Sequence, residues 1–155
     1  MTKSVSAPNA VDLLIQDHEK VKKLFKEYER LAKKGDTEGK QEVATHICEE
    51  LTVHTQIEEE IFYPAAKAAL DEKELVNEAA IEHASAKILI DQIKKTSPKD
   101  EMYDALLKVL SEYVDHHVKE EETEMFPKAK KAKLDMNALG ARMMERKEAL
   151  LSVTA

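Results

Sequence analysis

Six side chains in this sequence have the types and the spacing to hold metal. His54-x-x-x-Glu58 recurs as His117-x-x-x-Glu121, and 117 lies 63 residues beyond 54, as 121 lies beyond 58 and Pro127 beyond Pro64. His18 and His83 stand 36 and 34 residues before the motif histidines. Positions i and i+4 of a helix share one face, one turn apart, so a His and a Glu at that spacing can serve one metal ion or two neighbouring ions. Each half of the chain thus reads as a helix with one inward histidine followed by a helix with His-x-x-x-Glu.

The histidines also fall inside the apolar stripes of their helices. That places His18, His54, Glu58, His83, His117 and Glu121 in the interior, where two carboxylates and four imidazoles are costly unless paired or bound to metal. Two cations meet that need, and di-metal carboxylate sites in bundle cores are built from side chains on facing helices. Imidazole and carboxylate suit iron, and they also suit manganese or zinc. The buried charge is the same for two ferrous ions as for two ferric ions sharing one oxo bridge, so two-electron oxidation leaves it unchanged. Four histidines leave two terminal positions for water, a small oxidant or a further ligand. Tyr113, one turn before His117, and Glu50, one turn before His54, are the candidates for that ligand. No catalytic acid or base stands out. His46 and His116 read as surface or supporting residues, and Glu59, Glu60, Glu120 and Glu122 as solvated. Cys48, Met125, Met143 and Met144 read as packing.

The elements that must position these residues are helices, and no useful run has the period of a strand. Asn9 caps a first helix running to about Lys34. Gly35-Asp36-Thr37 breaks it. A second starts near Thr37, with Tyr63-Pro64 expected to kink or end it and Ala65 to Leu70 able to continue. A third spans about Asp71 to Lys95. A fourth starts near Lys99, and Pro127 repeats the role of Pro64. A Lys-rich link leads to a short helix from Asp135 or Asn137 to about Leu151. The fold expected is all-α: an up-down-up-down four-helix bundle with a short fifth, C-terminal helix packed across one end. Residues 1–8 are expected to be a disordered N-terminus, 9–151 one domain and 152–155 a tail.

Composition narrows the function classes. The 155 residues carry 31 acidic and 24 basic side chains, a formal charge of −7 that argues against a general nucleic-acid binder. One cysteine excludes an intramolecular disulfide and an all-cysteine metal site, and three glycines leave no Gly-rich phosphate loop. No apolar run is long enough to span a membrane, and the first residues do not read as a signal peptide. The expectation is an acidic, soluble, cytoplasmic protein, monomeric, with neither nucleic acid nor membrane as partner.

With these residues in hand, the sequence resembles the hemerythrin-like, or HHE cation-binding, family over about residues 9–151. AVDLLIQDHEKVKKLFKEYERL is similar to that family's opening helix, the two His-x-x-x-Glu-Glu stretches ending in Tyr-Pro and Phe-Pro to its paired motif, and LGARMMERKEAL to its last short helix. The resemblance implies a non-heme di-iron centre bridged by Glu58 and Glu121, with His18, His54, His83 and His117 terminal. Oxygen-carrying hemerythrins have a fifth histidine on the third helix and an aspartate as second bridge. Here Ala79 and Lys87 flank His83 at four residues, and the second bridge is Glu121. The chain is thus similar to the bacterial subgroup with four histidines, which points away from reversible oxygen carriage. It implies a protein that binds or reduces dioxygen, peroxide or nitric oxide, with peroxide disproportionation as one activity. An iron-binding or sensing module without turnover is the alternative. A metal-free interaction domain would leave Glu58 and Glu121 unexplained.

Overall fold

Helix boundaries follow from local capping chemistry. The computed structural model describes residues 8–71 and 73–154, so the expectation for residues 1–7 lies outside the described residues. Helix α1, Ala10–Lys34, starts where the Asn9 side chain accepts a hydrogen bond from the Asp12 amide. It stops at Gly35, whose φ of 73° is the left-handed conformation glycine adopts at little cost. Asp36 caps α2, Thr37–Ile57, and Asp100 caps α5, Glu101–Glu120, each through its carboxylate. Helix α4 spans Lys73–Lys95, and α7, Met136–Thr154, runs three residues past the expected end.

The two proline positions do not end their helices. Each is preceded by a wide π-turn, Glu58–Phe62 and Glu121–Met125, after which α3, Tyr63–Ala69, and α6, Phe126–Lys131, continue the rod. Proline lacks an N–H and its ring crowds the carbonyl four residues back, and a widened turn relieves both. The amide of Tyr63 bonds the Glu58 carbonyl, and that of Phe126 bonds the Glu121 carbonyl. Both wide turns therefore begin on a motif glutamate.

The four rods form the up-down-up-down bundle. Helix α1 packs on α2, α4 packs on α5, and α7 lies along α1 and α2. Among the described residues there is no strand, and no helix is long and apolar enough to cross a membrane.

The core is split in two. One cluster gathers the start of α1 with the π-turns, α3, α6 and α7, through Leu13, Leu14, Ile57, Phe62, Phe126 and Met143. The other holds Val21, Phe25, Ile47, Leu51, Leu107, Leu110 and Val118 further along the rods. Between Leu14 and Val21 on α1 stands His18, between Leu51 and Ile57 on α2 stands His54, and the polar layer formed this way is closed above and below by apolar side chains. Met125, Met143 and Cys48 are buried in these clusters as packing.

Candidate metal centre

The structure brings all six residues of the repeat together. His18, His54, His83, Glu58 and Glu121 are buried, and His117 is 12% exposed. They sort into two groups, His18 with His54 and Glu121, and His83 with His117 and Glu58, whose ligand atoms within each group lie within 4.8 Å of one another. Each glutamate reaches both groups. Glu58 Oε1 is 3.0 Å from His54 Nε2 and 3.2 Å from His83 Nε2. Glu121 Oε1 is 3.1 Å from His18 Nε2, and its Oε2 is 3.4 Å from His117 Nε2.

All four histidines take the same pose. Every Nε2 points inward to a motif glutamate, and every Nδ1 points outward to a second carboxylate. His54 Nδ1 is 3.0 Å from Asp17 and His117 Nδ1 is 2.8 Å from Glu82. His18 Nδ1 is 3.5 Å from Glu122, and His83 Nδ1 is 3.5 Å from Glu59. Each outer carboxylate is the sequence neighbour of a different inner residue: Asp17 of His18, Glu82 of His83, Glu59 of Glu58 and Glu122 of Glu121. The expectation that Glu59 and Glu122 are solvated is corrected. Both are half-buried, at 33% and 30% exposure, against the His83 and His18 rings of neighbouring helices. Asp17 and Glu82 were not singled out from the sequence; the repeated acidic-His dipeptides, Asp17-His18 and Glu82-His83, are the signal that could have found them.

Five of the inner atoms lack hydrogen bonds of good geometry. His18 Nε2, His54 Nε2, both Glu58 oxygens and Glu121 Oε1 are buried without a hydrogen-bond partner. Buried polar atoms left in that state cost roughly 1–3 kcal/mol each. They lie at pairing distance but converge on common points instead of on one another, the arrangement a cation satisfies. The donor set therefore fits metal, with an outer carboxylate on each imidazole to fix its tautomer and orientation.

Without metal, the cluster's protons settle the charge. Burial works against the His54 imidazolium, yet the facing Glu58 carboxylate and the hydrogen bond to Asp17 push it up to about 10. Burial likewise opposes the His117 imidazolium, but Glu121 and Glu82 push it up to about 11. Burial favours protonation of Glu121, but the His117 charge and the His117 and His18 imidazoles at its oxygens hold its carboxyl well below the usual range.

The two candidates for a further ligand differ in their surroundings. Tyr113 is 43% exposed, at the rim of a cavity of about 40 Å³ beside the histidines. Glu50 is buried but is paired with Lys20 Nζ at 2.7 Å. The hydroxyl that reaches the cluster is that of Tyr63. It donates to Glu121 Oε2 at 2.5 Å and lies 3.1 Å from His83 Nε2 and 3.2 Å from His117 Nε2. Burial, with the charges of Glu58 and Glu121, raises the Tyr63 hydroxyl well above its ordinary value, so it keeps its proton in the absence of metal. His46 and His116 stand at the surface, 46% and 65% exposed.

Comparisons with known proteins match the chain by sequence and by fold. The model of the hemerythrin HHE cation binding domain matches residues 9–129. A "DNA nickase" from Nostoc sp. is 33% identical over 118 residues, which are 76% of this chain but 32% of that protein. The chain thus spans about a third of the length of that curated relative. A crystal structure of a hemerythrin HHE cation-binding domain-containing protein from Mycobacterium kansasii shares the fold, with a TM-score of 0.76 at 23% identity over 92% of this chain and 87% of that one.

Proposed function

The chain belongs to the hemerythrin HHE cation-binding family, and on that footing we propose that it is a non-heme di-iron protein that binds or reduces a small oxidant. His18, His54 and Glu121 would hold one ion and His83, His117 and Glu58 the other, with each glutamate shared between them. The observation that carries this reading is the common pose of the four histidines, Nε2 inward and Nδ1 on a carboxylate. Two adjacent iron ions would supply electrons in pairs to dioxygen, peroxide or nitric oxide.

The chain's own residues supply the rest. The cavity beside the histidines, lined also by Val21, Leu51, Val114 and Val118, has room for two or three waters at the scale of roughly 15 Å³ each. That size favours a ligand of two or three heavy atoms over an organic substrate. The apolar clusters on both sides keep bulk water from the layer. Before metal binds, Tyr63 holds a proton at the Glu121 carboxylate, and it would release that proton on ligating iron. Glu82, 21% exposed, joins the Nδ1 of His117 to the surface.

The test is oxygen evolution from hydrogen peroxide by iron-loaded protein at substoichiometric amounts. Many turnovers per chain support disproportionation as the activity. Metal-dependent melting without turnover supports the second reading, an iron-binding or sensing module. That reading is favoured by one observation: the matched residues are only 32% of the DNA nickase, so the matched region there is one part of a longer protein.

A further inference from the structure

Helix α7 lies beyond the 9–129 family match, yet it reaches the outer carboxylate of one candidate ligand. Its docking is close. A Cβ on Gly140 would stand 2.4 Å from the Pro8 carbonyl oxygen and 2.8 Å from the Ala10 amide nitrogen, so only glycine lets the two backbones meet there. Leu139 and Met143 are buried against the start of α1 and the π-turns. One turn further, Lys147 Nζ is 2.6 Å from Asp17 Oδ1, with the lysine side chain 18% exposed and the aspartate 5%. The other Asp17 oxygen is the one 3.0 Å from His54 Nδ1. The line is continuous: α7, Lys147, Asp17, His54.

We propose that Lys147 is a positioning residue for the metal centre, fixing the His54 ring through Asp17 and so making α7 part of one half of the site. The proposal rests on the two-metal reading above. With Lys147 in place both Asp17 oxygens are engaged, and the carboxylate can turn only by breaking a buried pair. Without it, Oδ1 is left buried and unpaired, and the carboxylate must rotate or draw in water. His54 then loses the fixed partner that orients it. The other half is built differently. Glu82, the counterpart of Asp17, has on its outer side His116, 65% exposed and 3.5 Å away. Lys147 therefore acts on one ion only. Its neighbour Arg146 also ties α7 to the bundle, but through the exposed Glu60 on the π-turn.

Cobalt(II) titration of metal-free protein, read by absorbance, tests this, with thermal melting of the metal-free chain beside it. Wild type should show two binding steps. Lys147→Met should weaken one step roughly tenfold, the lower end of what loss of an outer partner costs, and leave the other in place. Lys147→Arg should keep both, and Arg146→Met should change neither. In an Asp17→Asn background, Lys147→Met should have no further effect, because its route is already cut. A Lys147→Met protein that melts lower but binds both ions as wild type does, or that weakens both steps equally, overturns the proposal. So does a full further loss in the Asp17→Asn background. Wild type that takes up no cobalt overturns the two-metal reading and the proposal with it, whereas two wild-type steps unmoved by Lys147→Met overturn the proposal alone.

Discussion

Tyr63 and Phe126 occupy the same place in the two halves of the chain, but only Tyr63 puts a hydroxyl into the ligand cluster. Both follow a π-turn that begins on a motif glutamate. Tyr63 bonds Glu121 and lies beside His83 and His117. Phe126 stacks on His18 with ring centroids 6.0 Å apart. The repeat is therefore symmetric in its six inner residues and its four outer carboxylates, and it becomes asymmetric at this position.

Tyr63→Phe makes the two halves alike at that point. The variant is expected to lose a phenolate-to-iron absorption band present in iron-loaded wild type, whereas Tyr113→Phe, altered at the cavity rim, keeps it. In the metal-free protein the same change removes one buried hydrogen bond, expected to cost about 1 kcal/mol in a denaturant titration. A band that persists in Tyr63→Phe and vanishes in Tyr113→Phe would reverse the assignment.

Glu58→Ala and Glu121→Ala are expected to reduce metal content far more than Glu60→Ala. The first two carboxylates are fully buried and each touches two histidines. Glu60 is 40% exposed and pairs with Arg146. Elemental analysis after identical loading distinguishes the three, and equal losses would contradict the placement.

The metal-free chain should have a stability optimum in mild acid. His54 and His117 are raised from an ordinary 6.5 to about 10 and about 11, so their contribution is complete below 6.5 and is lost as pH rises through the higher values. Glu121 is lowered from 4.5, so its contribution is present above 4.5 and is lost as pH falls through its folded value. Melting temperature of metal-free protein should therefore be highest between about pH 4.5 and 6.5 and fall toward pH 10. Metal uptake at pH 8 should release protons from these histidines. A melting temperature that climbs from pH 6.5 to 10 would show that the pairs do not form.

Gly140→Ala is expected to destabilise the protein although alanine is the better helix former. The propensity gain is about 1 kcal/mol. The new methyl would meet backbone atoms of Pro8 and Ala10, which cannot move aside as a flexible side chain would. Overpacking of this kind costs roughly 1–3 kcal/mol, so the two effects differ in favour of destabilisation. An unchanged or higher melting temperature would mean that α7 docks less tightly.

The inner layer was legible in the sequence because its signal is periodic. His18, His54, His83 and His117 sit on apolar stripes, and a duplicated His-x-x-x-Glu sets the register of the second and fourth rods. Tyr63 was not legible for a geometric reason. Five residues past Glu58, a regular helix puts it roughly 140° round the axis. The π-turn bonds the Tyr63 amide to the Glu58 carbonyl and brings the ring back over the site. Glu59 and Glu122 were missed because their partners, His83 and His18, stand on other helices, a contact that periodicity along one helix does not encode. Lys147 was illegible for another reason. Its pairing with Asp17 spans 130 residues of chain, and no local pattern encodes such a contact.

The two groups of ligands are proposed to hold two metal ions in each chain. Iron and protein are to be quantified together in fully loaded, desalted wild type. Two irons per chain are expected, falling to one or none when Glu58 or Glu121 is replaced by alanine. One iron or none in the loaded wild type would contradict that proposal.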